Sequence, residues 1–370
     1  MMKCDYCRGS HQGGEPKVST NLTSTPFLGG HDWFVHRSFN RYLQYSFQLT
    51  NPLSHPTIYQ FPDSFQSTKK ERKQKTEIVT IKGTKMLPTP CTSHVSFDTI
   101  YEPSEDSYLF LDTLSSSSES AWLTNHFSPS TSSPSPLLLE VGTGSGVVLA
   151  FLTANSHHIL GRTDVLALGT DVNRNACLAT RQTVLKAIEE QQQQSQNTQS
   201  TSTDDSKPSQ IKSLISSTLT SDLASPIRPH SIDILLFNPP YVPTPELPRL
   251  PSKEDNDAGD KEGGMSRSEK FERESYFLSL TYAGGKDGME ITERLLADIP
   301  RVLSQRGVAY VLLCAQNRPR EVVERIMGWD GDLEGGKWCA ELVGSSGVQA
   351  GWEKLVIVRV WREFTSASSS

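Results

Sequence analysis

Apolar and polar positions are unevenly spread along the chain, and the apolar blocks mark where a core forms. Leu137-Leu138-Leu139-Glu140-Val141 is a short, nearly unbroken apolar run that ends in glycines at 142, 144 and 146; an apolar helical pattern then continues through Leu152. Such runs, too short for a helix and closed by turn residues, read as strands buried on both faces. Val165 to Thr170 repeats the pattern and ends on Asp171, followed by a helix from Asn173 to about Glu190. A weaker strand is expected near Leu214 to Leu219, and a strong one over Ile232-Asp233-Ile234-Leu235-Leu236-Phe237. Helices near 288–304 and 319–327 flank a strand at 307–313, and Lys354 to Trp361 closes the series. Upstream, Glu102-Pro103-Ser104-Glu105-Asp106-Ser107 opens a helix, with proline and acidic residues in its first turn and Tyr108, Leu109, Leu111 and Leu114 as its apolar face. Strands alternating with helices imply right-handed crossovers and an α/β, doubly wound, mostly parallel sheet with helices on both faces.

The polar stretches divide the chain. Residues 1–85 show no sustained period and end in the basic run Lys69-Lys70-Glu71-Arg72-Lys73-Gln74-Lys75, so they are expected to be a disordered extension or a mis-annotated start, with Met86 opening the folded domain over 86–370. The Ser-rich 115–120 and the Ser/Pro-rich 128–136 read as loops around a short Ala121-Trp122-Leu123 segment. The Gln/Ser/Thr-rich 191–210 and the charged 246–270 read as disordered insertions in that domain.

Of the 370 residues, 35% are hydrophobic, which fits a chain of which part builds no core. No window approaches the ~18 apolar residues of a membrane span, and the N-terminus has no signal-type apolar region, so a soluble, cytoplasmic protein is expected. The basic run near Lys69 reads as a nuclear address if that region is translated. The formal net charge of −6 conceals an asymmetry: residues 1–85 carry 12 basic against 6 acidic side chains, leaving the remainder at −12. An acidic body disfavours non-specific binding to nucleic acid. The six cysteines lack a framework spacing and are expected as free thiols; Cys4, Cys7 and His11 form at most half of a zinc site, so no metal is expected.

Three places carry chemistry. The glycines of Glu140-Val141-Gly142-Thr143-Gly144-Ser145-Gly146 lie between a strand and a helix, where backbone can approach a ligand and helix amides are exposed. The third glycine comes one residue too early for the dinucleotide fingerprint. Asp171, ending the second strand, is placed to accept from ribose hydroxyls, and Asp222, ending the next unit, from an adenine amino group; helix capping is the structural alternative for both. Asn238-Pro239-Pro240-Tyr241 ends a core strand, where open α/β sheets bind ligands. Its two prolines fix the backbone and remove two donors, leaving carbonyl acceptors beside the Asn238 amide oxygen. A planar NH2 group can donate to Asn238 and to the Pro239 carbonyl while stacking on Tyr241.

Together these residues resemble the class I S-adenosylmethionine-dependent methyltransferases, and more narrowly the HemK family of protein glutamine methyltransferases, in its eukaryotic release-factor-methylating branch. The resemblance rests on Tyr101-Glu102-Pro103-Ser104-Glu105-Asp106-Ser107, on Leu139 to Val148, on Gly169-Thr170-Asp171-Val172-Asn173, on Phe237 to Val242, and on Ala283-Gly284-Gly285-Lys286-Asp287-Gly288. It implies a seven-stranded Rossmann-like fold and a cofactor site lined by Ser107, Glu140, Gly142, Gly144, Asp171, Asp222, Leu223 and Asn238. It also implies that Asn238, Pro239, Pro240 and Tyr241 hold the substrate glutamine, in the GGQ loop of the class I peptide chain release factor, for N5-methylation. A small zinc-binding activator subunit, adding a strand to the sheet edge, is the implied partner. Two other substrates share the tetrapeptide or the branch: adenine N6 in DNA or RNA, and lysine on a histone or another protein. A scaffold that keeps the fold without catalysis is the non-enzymatic alternative.

Overall fold

The computed structural model describes residues 86–127, 133–199, 212–257, 265–330, 336–347 and 354–364. The expectations for 1–85, including the start at Met86 and the Cys4/Cys7/His11 cluster, lie outside them, as do 200–211 and 258–264.

The apolar runs become strands as the pattern requires. β1 (Leu137–Val141), β2 (Leu166–Asp171), β3 (Leu214–Thr220), β4 (Ile232–Phe237), β5 (Leu303–Cys314), β6 (Lys337–Ser345) and β7 (Leu355–Glu363) form one sheet of order β3-β2-β1-β4-β5-β7-β6. β1 to β5 run parallel, and β7 is antiparallel to both β5 and β6. Because strand side chains alternate, the central strands feed two cores. Leu138, Ile234, Leu236, Tyr310 and Leu312 pack on one face with α1 (Glu105–Ser115) and α3 (Val147–Ala154). Leu139, Leu235, Phe237, Val311 and Leu313 pack on the other with α8 (Glu290–Val302) and α9 (Pro319–Met327). The doubly wound architecture follows, since each face of the parallel strands is covered. Among the described residues no helix is long and apolar enough to cross a membrane.

Several elements differ from the sequence reading. The helix after Glu102 starts at Glu105, with Ser104 extended before it. The serine run at 115–120 is largely helical: Ser116 accepts from the Glu119 amide at 3.2 Å and caps α2 (Ser117–His126). Glu119 is thereby buried, bonded to Arg359 at 2.8 and 2.9 Å. A four-residue α4 (Ser156–Ile159) precedes β2. The helix expected to stop near Glu190 runs on as α5 (Arg174–Gln199), because glutamine is a good helix former and nothing in 191–199 breaks the helix. Within 246–270, Lys253–Asp257 forms α6 and Arg267–Tyr282 forms α7, so this stretch is structured on both sides of 258–264. Strand β6 is an addition to the sequence reading; only Trp338 along it is fully buried, which leaves little apolar pattern to read.

Candidate active site

The strand order reverses at β1, which pairs with β2 on one side and β4 on the other, and the carboxyl ends of these three strands converge. That convergence is the crevice in which open α/β sheets bind ligands.

After β1 the chain turns through Gly142, Gly144 and Gly146 at φ of +66°, +51° and +76°, which only glycine adopts without strain. The three serve different ends. A Cβ on Gly146 would lie 2.6 Å from the Thr180 Cα, so this glycine allows α3 to pack on α5. A Cβ on Gly144 would meet nothing within 4 Å, and one on Gly142 only the Phe237 ring at 4.0 Å, so these two border open space. The Gly144 amide donates to Asp171 Oδ2 at 3.0 Å and the Asn173 amide to Oδ1 at 2.8 Å. The turn and the end of β2 are thus tied into one rigid rim.

Glu140 is 4% exposed and accepts the Leu149 amide at 3.1 Å. Burial raises its carboxyl well above the usual range, the Leu149 bond pulling it down and the Asp171 charge adding to the rise. Burial raises Asp171 too, against the backbone amides of Asn173, Gly144 and Val172. Ser221 donates its amide to the Asp171 carbonyl at 2.9 Å, setting the turn after β3 beside this rim. There Leu223 holds φ +49°, a left-handed conformation costly for a bulky residue. Asp222 departs from its expected role in part: its carboxylate pairs with Arg294 of α8, an ion pair half open to solvent.

On the opposite side, Asn238-Pro239-Pro240-Tyr241 leaves β4. Its backbone is gripped by the Ala283-Gly284-Gly285-Lys286-Asp287-Gly288 segment. Val242 donates to the Tyr282 carbonyl at 2.9 Å and accepts from the Gly284 amide at 2.8 Å; Thr244 donates to Gly285 at 3.0 Å. A Cβ on Gly284 would lie 2.6 Å from the Pro240 carbonyl oxygen, and one on Gly288 would collide with that of Tyr241. These glycines therefore permit a backbone approach that no side chain would allow. Asn317, at the end of β5, locks the segment from below: it accepts from the Cys314 amide at 2.8 Å and donates to the Asp287 carbonyl at 3.1 Å.

Asn238 Oδ1 is buried and has no hydrogen-bond partner among the described residues. An orphaned buried acceptor costs stability, so it marks a place where a ligand donor belongs. Asp106 is 4% exposed in the first turn of α1, and burial raises its carboxyl against the lowering effect of neighbouring hydrogen-bond donors. Ser107 donates to the same carboxylate from its amide at 2.6 Å and its hydroxyl at 3.1 Å. Of the expected residues, Glu140, Gly142, Gly144, Asp171 and Asn238 sit at the carboxyl ends of β1, β2 and β4, and Ser107 in the first turn of α1. Sequence reasoning misses Gly284, Gly288 and Asn317 as functional positions, although the first two lie inside the motif segments that carry the resemblance.

The stretch after the tetrapeptide also reaches the rim. Asn256 of α6 accepts from the Arg174 amide at 2.8 Å and donates to the Val172 carbonyl at 3.2 Å, capping α5 directly after Asp171. Arg249 bonds Asp255 at 2.6 and 2.9 Å and lies 4.9 Å from the Tyr276 ring centroid, and the Tyr276 hydroxyl donates to the Arg249 carbonyl at 2.9 Å.

The residues present suit S-adenosylmethionine. Gly142 and Gly144 border open space, the Glu140 and Asp171 carboxylates would accept from hydroxyl or ammonium donors, and Asn238 Oδ1 is a buried acceptor without a partner among the described residues.

No protein-family model matches the chain. Among curated proteins it is 29% identical over 280 residues to the eRF1 methyltransferase catalytic subunit mtq2 of Schizosaccharomyces pombe, covering 75% of this chain and 96% of that protein. It is 28% identical over 243 residues to human Methyltransferase HEMK2, covering 64% and 83%. Among solved structures it aligns with a ribosomal protein L11 methylase from Lactobacillus delbrueckii subsp. bulgaricus over 72% of this chain and 82% of that one, at 10% identity and a TM-score of 0.34. With the sheet order, the glycine rim and the Asn-Pro-Pro-Tyr exit in place, these likenesses agree with the resemblance to the HemK family of class I S-adenosylmethionine-dependent methyltransferases.

Proposed function

We propose that this enzyme methylates N5 of the glutamine side chain in the GGQ loop of the eukaryotic class I peptide chain release factor. The buried, unpartnered Asn238 Oδ1 at the end of β4 carries this reading, since it is suited to accept from an NH2 group. The names of the fission yeast and human relatives agree with methyl transfer, the first of them to eRF1.

S-adenosylmethionine, when bound, supplies a methyl group activated by its sulfonium. The task left to the protein is alignment, because an amide nitrogen is a weak nucleophile whose lone pair is delocalised. Asn238 Oδ1 and the Pro239 carbonyl accept the two amide hydrogens, and Tyr241 offers its ring to the planar group. Both acceptor bonds strengthen as positive charge develops on nitrogen, so they stabilise the transition state more than the bound substrate. The proton is released to solvent after transfer. No general base is needed within the crevice.

Methyl transfer to purified release factor, to the same factor with the GGQ glutamine replaced, and to oligonucleotides distinguishes the substrates. Label on the intact factor alone is expected. Label on nucleic acid alone would replace this reading by adenine methylation.

A small zinc-binding activator subunit is the partner this reading includes. Two features support it. Among the described residues strand β3 is an unpaired sheet edge with Leu214 53% exposed, and on α5 Leu178 and Leu185, one heptad apart, are 52% and 41% exposed. Unpaired edges and contiguous apolar surface are what strand addition covers. Co-expression with the activator should raise soluble yield and give a one-to-one complex on size exclusion; full activity of the chain alone counts against the partnership.

A further inference from the structure

We propose that Asn256, on the stretch that follows the Asn-Pro-Pro-Tyr exit, is a positioning residue for the methyl donor, acting through Asp171. One peptide plane links the two. The Val172 carbonyl and the Asn173 amide belong to the same planar, trans unit, so they point in opposite directions and turn together. At one end the Asn173 amide donates to Asp171 Oδ1 at 2.8 Å. At the other the Asn256 side-chain NH2 donates to the Val172 carbonyl at 3.2 Å. Asn256 Oδ1 accepts the Arg174 amide of the next peptide at 2.8 Å, so one side chain fixes the tilt of the plane. A carbonyl that accepts a hydrogen bond also polarises the N–H of its own peptide, which strengthens the bond to Asp171. Oδ2 of the same carboxyl accepts from Gly144 at 3.0 Å, and both oxygens keep acceptor capacity for ribose hydroxyls.

Asn256 is itself firmly seated. It is 7% exposed and gives its other NH2 hydrogen to the Ser252 carbonyl at 3.2 Å. Only one orientation of the amide fits, since Oδ1 meets an N–H while Nδ2 meets two carbonyls. With five residues α6 is too short to hold its place by itself. Its neighbours hold it: Arg249 bonds Asp255 at 2.6 and 2.9 Å, and the Tyr276 hydroxyl of α7 donates to the Arg249 carbonyl at 2.9 Å. The stretch leaving the tetrapeptide thereby supports the cofactor rim from outside.

Capping of α5, which Arg174 opens, is the other reading of Asn256. The two part in Asn256→Asp. A carboxylate still accepts from the Arg174 amide and suits the positive end of a helix, but it has no hydrogen for the Val172 carbonyl and repels it. Capping alone predicts wild-type behaviour, whereas positioning predicts a loss.

This inference rests on the proposed function only in that Asp171 meets the cofactor. Calorimetry on the full chain uses S-adenosylhomocysteine, which lacks the sulfonium charge and so responds less to the added negative charge. Binding should weaken about tenfold in Asn256→Asp, the worth of one hydrogen bond. KM for S-adenosylmethionine should rise by the same factor with kcat within about twofold of wild type, the mark of lost uniform binding. In an Asp171→Ala background the substitution should add nothing, because the group it acts through is gone. A readout free of ligand is amide exchange: Asn173 and Gly144 should exchange faster in Asn256→Asp, with the rest of α5 unchanged. Wild-type affinity in Asn256→Asp, an equal further loss in the Asp171→Ala background, or unchanged exchange at Asn173 overturns the assignment. If Asp171→Ala binds S-adenosylhomocysteine as wild type does while Asn173 exchange responds as stated, the role of Asp171 toward the cofactor fails and its positioning by Asn256 stands.

Discussion

Asn238→Ala and Asp171→Ala should fail in different ways. The first removes an acceptor used as charge develops, so kcat should drop about 10²- to 10³-fold, as for loss of one oxyanion-hole donor, while calorimetry still detects cofactor binding. The second removes a carboxylate held in place by two backbone amides, so cofactor affinity should weaken first. A second contrast separates the glycines. Gly146→Ala drives a Cβ against the Thr180 backbone and should cost about 1–3 kcal/mol in urea unfolding. Gly144→Ala meets no clash and incurs only the left-handed backbone strain of φ +51°, about 1–2 kcal/mol, so beyond that its further loss should be in cofactor affinity. Gly144, Asp171 and Asn238 are legible in the sequence because each ends a strand recognisable by its apolar run. Asn317 is not, because a side chain bonded across the fold leaves no periodic trace.

At the scale of elements, α7 shows why pattern reading fails. Its residues are mostly polar or charged, and Phe277 alone is buried, so the apolar stripe that signals a helix is missing. The start signal is present: Ser266 accepts from the Glu269 amide at 3.3 Å, and Glu269 accepts from the Ser266 amide at 2.7 Å, a complete capping box. With so little core contact, α7 depends on this cap. Ser266→Ala should cost about 1 kcal/mol, seen as faster amide exchange over 267–282 with little change in global unfolding. The serine-capped α2 is hidden in the same way, while β1, β2 and β4 stand out because strands covered on both faces are apolar throughout.

For the whole molecule, acid stability should follow from His157. Its Nδ1 is buried without a partner among the described residues, its ring lies 3.7 Å from that of His158, and burial, reinforced by the His158 charge, lowers its pKa to about 4. The fold therefore favours neutral His157. Its contribution is fully present above the unfolded value of about 6.5 and is lost as pH falls from there toward 4. Stability measured in urea should decline over that window, and His157→Phe should flatten the decline. The parallel part of the sheet and β7 are readable from their apolar runs; β6 is not, because an edge strand with one buried side chain resembles a loop.

The bonds joining Val242 to Tyr282 and Gly284 also fasten the two ends of everything between them. The chain leaves at Val242, travels through α6 and α7, and returns to the same spot, so this detour hangs from a clasp that keeps the Asn-Pro-Pro-Tyr backbone in place. A short epitope inserted between 258 and 264 should leave the turnover of free cofactor and a GGQ peptide intact, whereas replacing Gly284 with valine, which breaks the clasp, should abolish it.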